Sequence, residues 1–220
     1  MKNLFNINIK AILFDMDGVV LDSEKLYSQS EEKLLSKYGV KFDNSDWLLI
    51  KGCTEKQFYD LVYAKFNIKI PREELILQGR NFIKKIFSTQ LTYMDGFKNV
   101  HSILNKHYKL ALVTSTGPDL VNHIDGLLSI YKKFDLVINS SDSKLHKPSP
   151  DPYLVAMNRL NLKPNECIVI EDSIQGIKSG KAAGCSVVAL EGSSERKLLK
   201  QADYIISNFK ELKQYLINQY

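Results

Sequence analysis

Four short runs of residues have types that could do chemistry. Asp15 and Asp17 stand two apart in Asp15-Met16-Asp17-Gly18-Val19. Glu171 and Asp172 are adjacent. Thr114 and Ser115 offer hydroxyls, and Lys147 offers a fixed positive charge ahead of Pro148. Four carboxylates in one crevice repel each other and call for a cation. Hard oxygen donors without His or Cys select magnesium. A divalent cation, a lysine, a hydroxyl and backbone N–H groups together suit a phosphoryl group, whose transfer depends on positioning and charge stabilisation. A carboxylate can attack phosphorus and form an acyl phosphate, which water later hydrolyses.

These runs act together only if the fold brings them together. Short apolar stretches predict buried strands at Ala11–Phe14, Leu110–Val113, Leu136–Ile138, Cys167–Ile170, Val187–Leu190 and Tyr204–Ile206. Helical spacing lies between them: Phe97, Val100, Ile103, Leu104; then Leu120, Val121, Ile124, Leu127, Leu128 behind Pro118; then Tyr153–Leu160. Ser173 reads as an N-cap and Gly184 as the stop of a helix over Ile174–Ala183. Alternating strands and helices imply an α/β fold, a Rossmann-like parallel sheet with helices on both faces. Each polar run follows a strand, Lys147 after a longer loop. The crevice beyond the C-terminal strand ends is where such sheets bind ligands.

From Ser23 to Thr92 the rhythm changes to helices alone. Leu26, Leu34, Leu35 and Tyr38 suit one helix. Phe58, Leu61, Val62 and Phe66 suit a second, and Leu75, Phe82, Ile83, Ile86 and Phe87 a third. The expected division is therefore a catalytic core of 1–22 and 93–220 with a helical cap of 23–92, hinged near Asp22–Glu24 and Tyr93–Gly96. Asp22 and Glu24 read as capping and charging the first cap helix.

Together these runs resemble the four motifs of the haloacid dehalogenase-like hydrolase superfamily. The first runs from Asp15 to Glu24, the second is Thr114 after its strand, and the third is Lys147-Pro148-Ser149-Pro150-Asp151. The fourth is Glu171-Asp172-Ser173-Ile174-Gln175-Gly176, continuing to Ala182-Ala183-Gly184. The match covers nearly the whole chain. The insert resembles the small cap of phosphoglycolate phosphatases, sugar-phosphate phosphatases and β-phosphoglucomutase. The resemblance implies Asp15 as nucleophile and Asp17 as acid and base. It implies Thr114, Ser115, Lys147 and the backbone of Met16 as phosphate ligands. Magnesium would be held by Asp15, by Asp17 through its backbone carbonyl, by Asp172, and by Glu171 directly or through water. In the cap, Lys51, Gly52, Thr54 and Lys56 are the candidate substrate contacts. Asp17 argues against the dehalogenase and phosphonate-cleaving branches, which lack that residue. His146 stands where many relatives carry Gly.

The expected activity is hydrolysis of a small phosphate monoester. The alternative is a β-phosphoglucomutase-like mutase. Two departures favour hydrolysis: Glu55 aligns with the mutase's phosphate-holding basic residue, and Tyr27 with its cap histidine. A binding module that had lost activity would lack a motif residue, and none is missing.

Composition agrees with an ordinary globular protein: 220 residues, 44% hydrophobic, 25% charged and a net charge of +5. The lysines are scattered, which argues against a nucleic-acid groove. Cys53, Cys167 and Cys185 form no metal-binding or disulfide pattern, and Cys167 and Cys185 read as buried thiols. No apolar run is long enough to cross a membrane. A cytoplasmic monomer acting on a small phosphorylated metabolite is the resulting expectation.

Overall fold

The computed structural model describes residues 8–50, 53–192 and 194–217. Six parallel strands form one sheet: β1 (Ala11–Phe14), β2 (Lys109–Val113), β3 (Leu136–Ile138), β4 (Cys167–Glu171), β5 (Ser186–Leu190) and β6 (Tyr204–Ile206). Their order is β3-β2-β1-β4-β5-β6, which places β1 between β2 and β4. The order reverses at β1, so a crevice opens beyond its C-terminal end.

Alternation along the strands divides the core into two layers. Ile12 and Phe14 join Leu110, Leu112, Ile168 and Ile170 on one face. That face is covered by α5 (Phe97–Leu104), α6 (Pro118–Leu128) and α9 (Phe209–Ile217). Ala11 and Leu13 join Ala111, Val113, Val169 and Val187 on the other, covered by α7 (Asp151–Leu160) and α8 (Ile174–Ala182). Cys167 and Cys185 are buried free thiols in this second layer.

Among the described residues, four α-helices lie between β1 and α5: α1 (Glu24–Leu35), α2 (Asn44–Ile50), α3 (Glu55–Lys65) and α4 (Arg72–Gln90). The sequence pattern predicts three of them. The seven-residue α2 is too short for its spacing to register as a helical period. The insert has its own apolar cluster of Leu34, Leu35, Val40, Phe58, Tyr59, Val62 and Leu75. Leu26, Ile83 and Phe87, from α1 and α4, are packed into the core's first layer instead.

The two chain segments joining insert and core run side by side. Asp22 N donates to Thr92 O at 3.0 Å, and Met94 N to Val20 O at 3.0 Å. Ser23, not Asp22, occupies the N-cap position of α1, and its side chain makes no capping bond there. Among the described residues, no helix is long and apolar enough to cross a membrane.

Candidate active site

Asp15 follows β1 directly and is buried. Its Oδ1 accepts from Lys147 Nζ at 2.5 Å. The same ammonium donates to Glu171 Oε1 at 2.6 Å and to the carbonyl of Val113 at 3.0 Å. Lys147 is thus held between the ends of β1, β2 and β4, although it lies far from all three in sequence. Its peptide bond to Pro148 is cis.

Glu171 is fully buried, and both of its oxygens are saturated. Oε1 also accepts from Tyr153 Oη at 2.9 Å. Oε2 accepts from Asp172 N at 3.1 Å, Ser173 N at 3.2 Å and Ser173 Oγ at 3.0 Å. Ser173 Oγ in turn accepts from Gly176 N and so caps α8, as its sequence position predicts. Gly176 is required here by space. A Cβ at this position would lie 1.7 Å from Glu171 Oε1. Gly18 is required by conformation, with φ +78°, and by Asp172, whose Oδ2 would lie 2.2 Å from a Cβ.

Asp15, Glu171 and Asp172 can each bring one carboxylate oxygen within 4.8 Å of the others. Three buried hard-oxygen donors without His or Cys suit a divalent metal of the magnesium type. The Asp17 carboxylate lies outside this group. Its Oδ1 accepts from Ser23 Oγ at 2.6 Å, and its Oδ2 from Thr116 Oγ1 at 2.8 Å. Tyr27 Oη lies 3.5 Å from that threonine hydroxyl. Thr114 is buried, with its Oγ1 accepting from Thr116 N at 3.0 Å.

The electrostatics follow from burial around few cations. Burial pushes the Asp15 carboxyl well above the ordinary range. Lys147 opposes this, and the charges of Glu171, Asp172 and Asp17 add to it. Burial also raises Asp17, against the hydrogen bonds from Ser23 and Thr116. For Lys147, burial works against the charged form, but Asp15 and Glu171 outweigh it and raise its proton affinity. Burial disfavours the charge of Glu171 too, yet Lys147 and its donors keep it below the usual glutamate range.

A cavity of about 900 Å³ opens above these groups. Asp15, Asp17, Thr114, Ser115, Lys147 and Asp172 line its floor, while Tyr27, Glu31, Thr54, Tyr59, Arg80 and Lys84 line the insert side. Met16 has its side chain in the core, leaving only its backbone for the site. Thr54 spends its hydroxyl on the capping box of α3 with Gln57. Lys56 lines the rim, highly exposed and paired with Asp60 at 2.8 Å. His146 lines the cavity, and its buried Nδ1 has no hydrogen-bond partner. Lys51 and Gly52 lie outside the described residues. Sequence reasoning missed Ser23, Thr116 and Tyr153, whose hydroxyls bear on the site only after folding. The same holds for Arg80 and Lys84, whose helical spacing alone carries no signal.

Residues 12–190 match the family of haloacid dehalogenase-like hydrolases. The chain belongs to that family. A phosphorylated carbohydrates phosphatase of Thermotoga maritima is 30% identical over 80% of this chain and 82% of its own. The fructose-1-phosphate phosphatase of Escherichia coli is 25% identical over 80% of this chain and 94% of its own. The crystal structure of a candidate β-phosphoglucomutase from Thermotoga maritima superposes with a TM-score of 0.76 at 28% identity, covering 96% of this chain and 99% of that one. This family member is a phosphoric monoester hydrolase. Enzymes of this family use a divalent metal, and Asp15, Glu171 and Asp172 form a buried acidic cluster in this chain.

Proposed function

We propose that this chain is a magnesium-dependent phosphatase of small phosphorylated sugars or similar metabolites, working through an aspartyl phosphate on Asp15. The observation that carries this is the placement of Asp15. It is buried at a strand end, against Lys147 on one side and beside Glu171 and Asp172 on the other. The names of the relatives, a phosphorylated carbohydrates phosphatase and a fructose-1-phosphate phosphatase, support the substrate class.

Asp15 attacks phosphorus, and the phosphorus–oxygen bond to the substrate alcohol breaks. Asp17 gives its proton to the leaving oxygen, then takes one from the water that opens the acyl phosphate. Burial raises its proton affinity, which suits a group that must hold and release a proton. To reach the leaving oxygen, its carboxylate must exchange Ser23 and Thr116 for substrate. Lys147, Thr114 and the backbone N–H groups of Met16, Asp17 and Ser115 hold the phosphoryl oxygens. Asp15, Asp172 and the Asp17 carbonyl would hold Mg2+, which would supply positive charge to offset that of the phosphoryl oxygens. Glu171 has five protein donors on its two oxygens, so its part is to position Lys147 and the start of α8. Residues 23–92 act as the cap, with Thr54 and Lys56 at its rim and His146 on the core side. Glu55 and Tyr27, at the two positions where the mutase differs, support hydrolysis over phosphoryl return to a sugar.

Purified protein should hydrolyse p-nitrophenyl phosphate with Mg2+ and stop with EDTA. Asp15→Asn should reduce turnover at least a thousandfold. A variant as active as wild type sinks the nucleophile assignment.

A further inference from the structure

Among the described residues, three cations of the insert line the cavity: Lys56, Arg80 and Lys84. Each is already matched by a carboxylate of this chain. Arg80 lays its guanidinium fork on Glu55, with Nε to Oε1 at 2.8 Å and Nη2 to Oε2 at 2.5 Å. Lys84 pairs with Asp119 of α6 at 2.7 Å. Lys56 pairs with Asp60 at 2.8 Å, and Asp60 also takes Arg72 at 2.6 Å.

The Arg80–Glu55 geometry is the two-point fork by which an arginine binds a carboxylate or phosphate of a ligand. Here Glu55, itself a lining residue at the start of α3, holds that place. A tethered carboxylate competes at an effective concentration of about millimolar. A substrate bearing a second anionic group must therefore displace Glu55 and leave it unpaired beside a like charge. A substrate whose far end is uncharged pays neither penalty. The pair is half-exposed, at 48% and 40%, so its contribution to stability is small. Its position inside the cavity gives it a consequence for selectivity instead.

We propose that Glu55, seated on Arg80, is a specificity-determining residue that restricts this enzyme to phosphate monoesters carrying no second anionic group. The inference rests on the phosphatase reading above. Glucose 6-phosphate and 6-phosphogluconate serve as probes. The second is an open chain with a carboxylate at the end remote from phosphorus, so the change in their ratio between variants, which cancels the difference in shape, is what decides. Their inhibition constants against p-nitrophenyl phosphate hydrolysis can be measured whether or not either is turned over. Wild type should bind glucose 6-phosphate about tenfold more tightly than 6-phosphogluconate. Glu55→Gln frees the fork and should shift the ratio of the two constants about tenfold towards 6-phosphogluconate. Adding Arg80→Gln should abolish that shift. Arg80→Gln alone leaves Glu55 unpaired and should move the ratio the other way. An unchanged ratio in Glu55→Gln, or a shift that survives loss of Arg80, overturns the proposal. If wild type fails to hydrolyse p-nitrophenyl phosphate with Mg2+, the phosphatase reading itself falls. Hydrolysis with unaltered selectivity defeats only the role of Glu55.

Discussion

Tyr153 shows how much of the site depends on residues that never meet substrate. It is fully buried on α7, with its ring 5.1 Å from Lys147 Nζ and its hydroxyl on Glu171. Removing that hydroxyl alone leaves a buried carboxylate one donor short. Hydrogen bonds to charged groups contribute about 1.5–3 kcal/mol. Tyr153→Phe should lose stability of that order in denaturant unfolding, with the ring's packing kept. A loss below about 0.5 kcal/mol would show that the other four donors suffice. Asp15, Asp17, Glu171 and Asp172 were legible in the sequence because each stands beside a recognisable strand, whereas Lys147, a longer loop away from its strand, was marked by the Pro148 that follows it. Tyr153 reads there as one more apolar position of a helix. Nothing local tells that its hydroxyl faces a carboxylate 18 positions onward in the chain. Ser23 carries no local mark either: the capping reading falls on Asp22 and Glu24, whereas Ser23 takes the N-cap position and sends its hydroxyl to Asp17.

At the scale of elements, the start of α8 fits over the end of β4 as closely as a missing side chain allows. Gly176, like Gly18, leaves room for a carboxylate of the site. Gly176→Ala would set a methyl 1.7 Å from Glu171 Oε1, closer than any rearrangement of a flexible tip could absorb among five hydrogen bonds. Overpacking of this kind costs about 1–3 kcal/mol. It should also displace Glu171 from Lys147, so p-nitrophenyl phosphate turnover should fall more than the melting temperature alone explains. Full activity in this variant would mean that the helix end is free to shift. The order of strands and helices was legible because their apolar periods are unambiguous. The insert was legible only in part. Short α2 spans about two turns, too few to set a pattern, and the pairing of Arg80 with Glu55 joins two helices whose approach no local pattern specifies.

For the molecule as a whole, the cavity between insert and core leaves a mark on stability. Burial, with the nearby charge of Glu24, pushes Glu31 up to about 8 from an ordinary 4.5. The folded chain keeps this proton up to about pH 8, while the unfolded chain releases it near pH 4.5. Folding therefore takes up a proton between those values, so stability falls as pH rises through this window. Glu31→Gln removes the effect. The variant's melting temperature relative to wild type should climb from pH 5 to pH 8, by about 2–4 °C per kcal/mol for a chain of this size. A difference that stays constant across that range would place Glu31 in contact with solvent.

The paired segments at Val20–Asp22 and Thr92–Met94 bring the two ends of the insert together, one backbone hydrogen bond apart. A segment whose ends meet can be replaced without reshaping what it is inserted into. A turn of a few residues could bridge Asp22 and Thr92, and an insert of other length or fold could enter at the same place. Such a junction lets the floor built on Asp15 be inherited unchanged while the roof is exchanged. The seam at Leu26, Ile83 and Phe87 marks the surface that any replacement would have to rebuild.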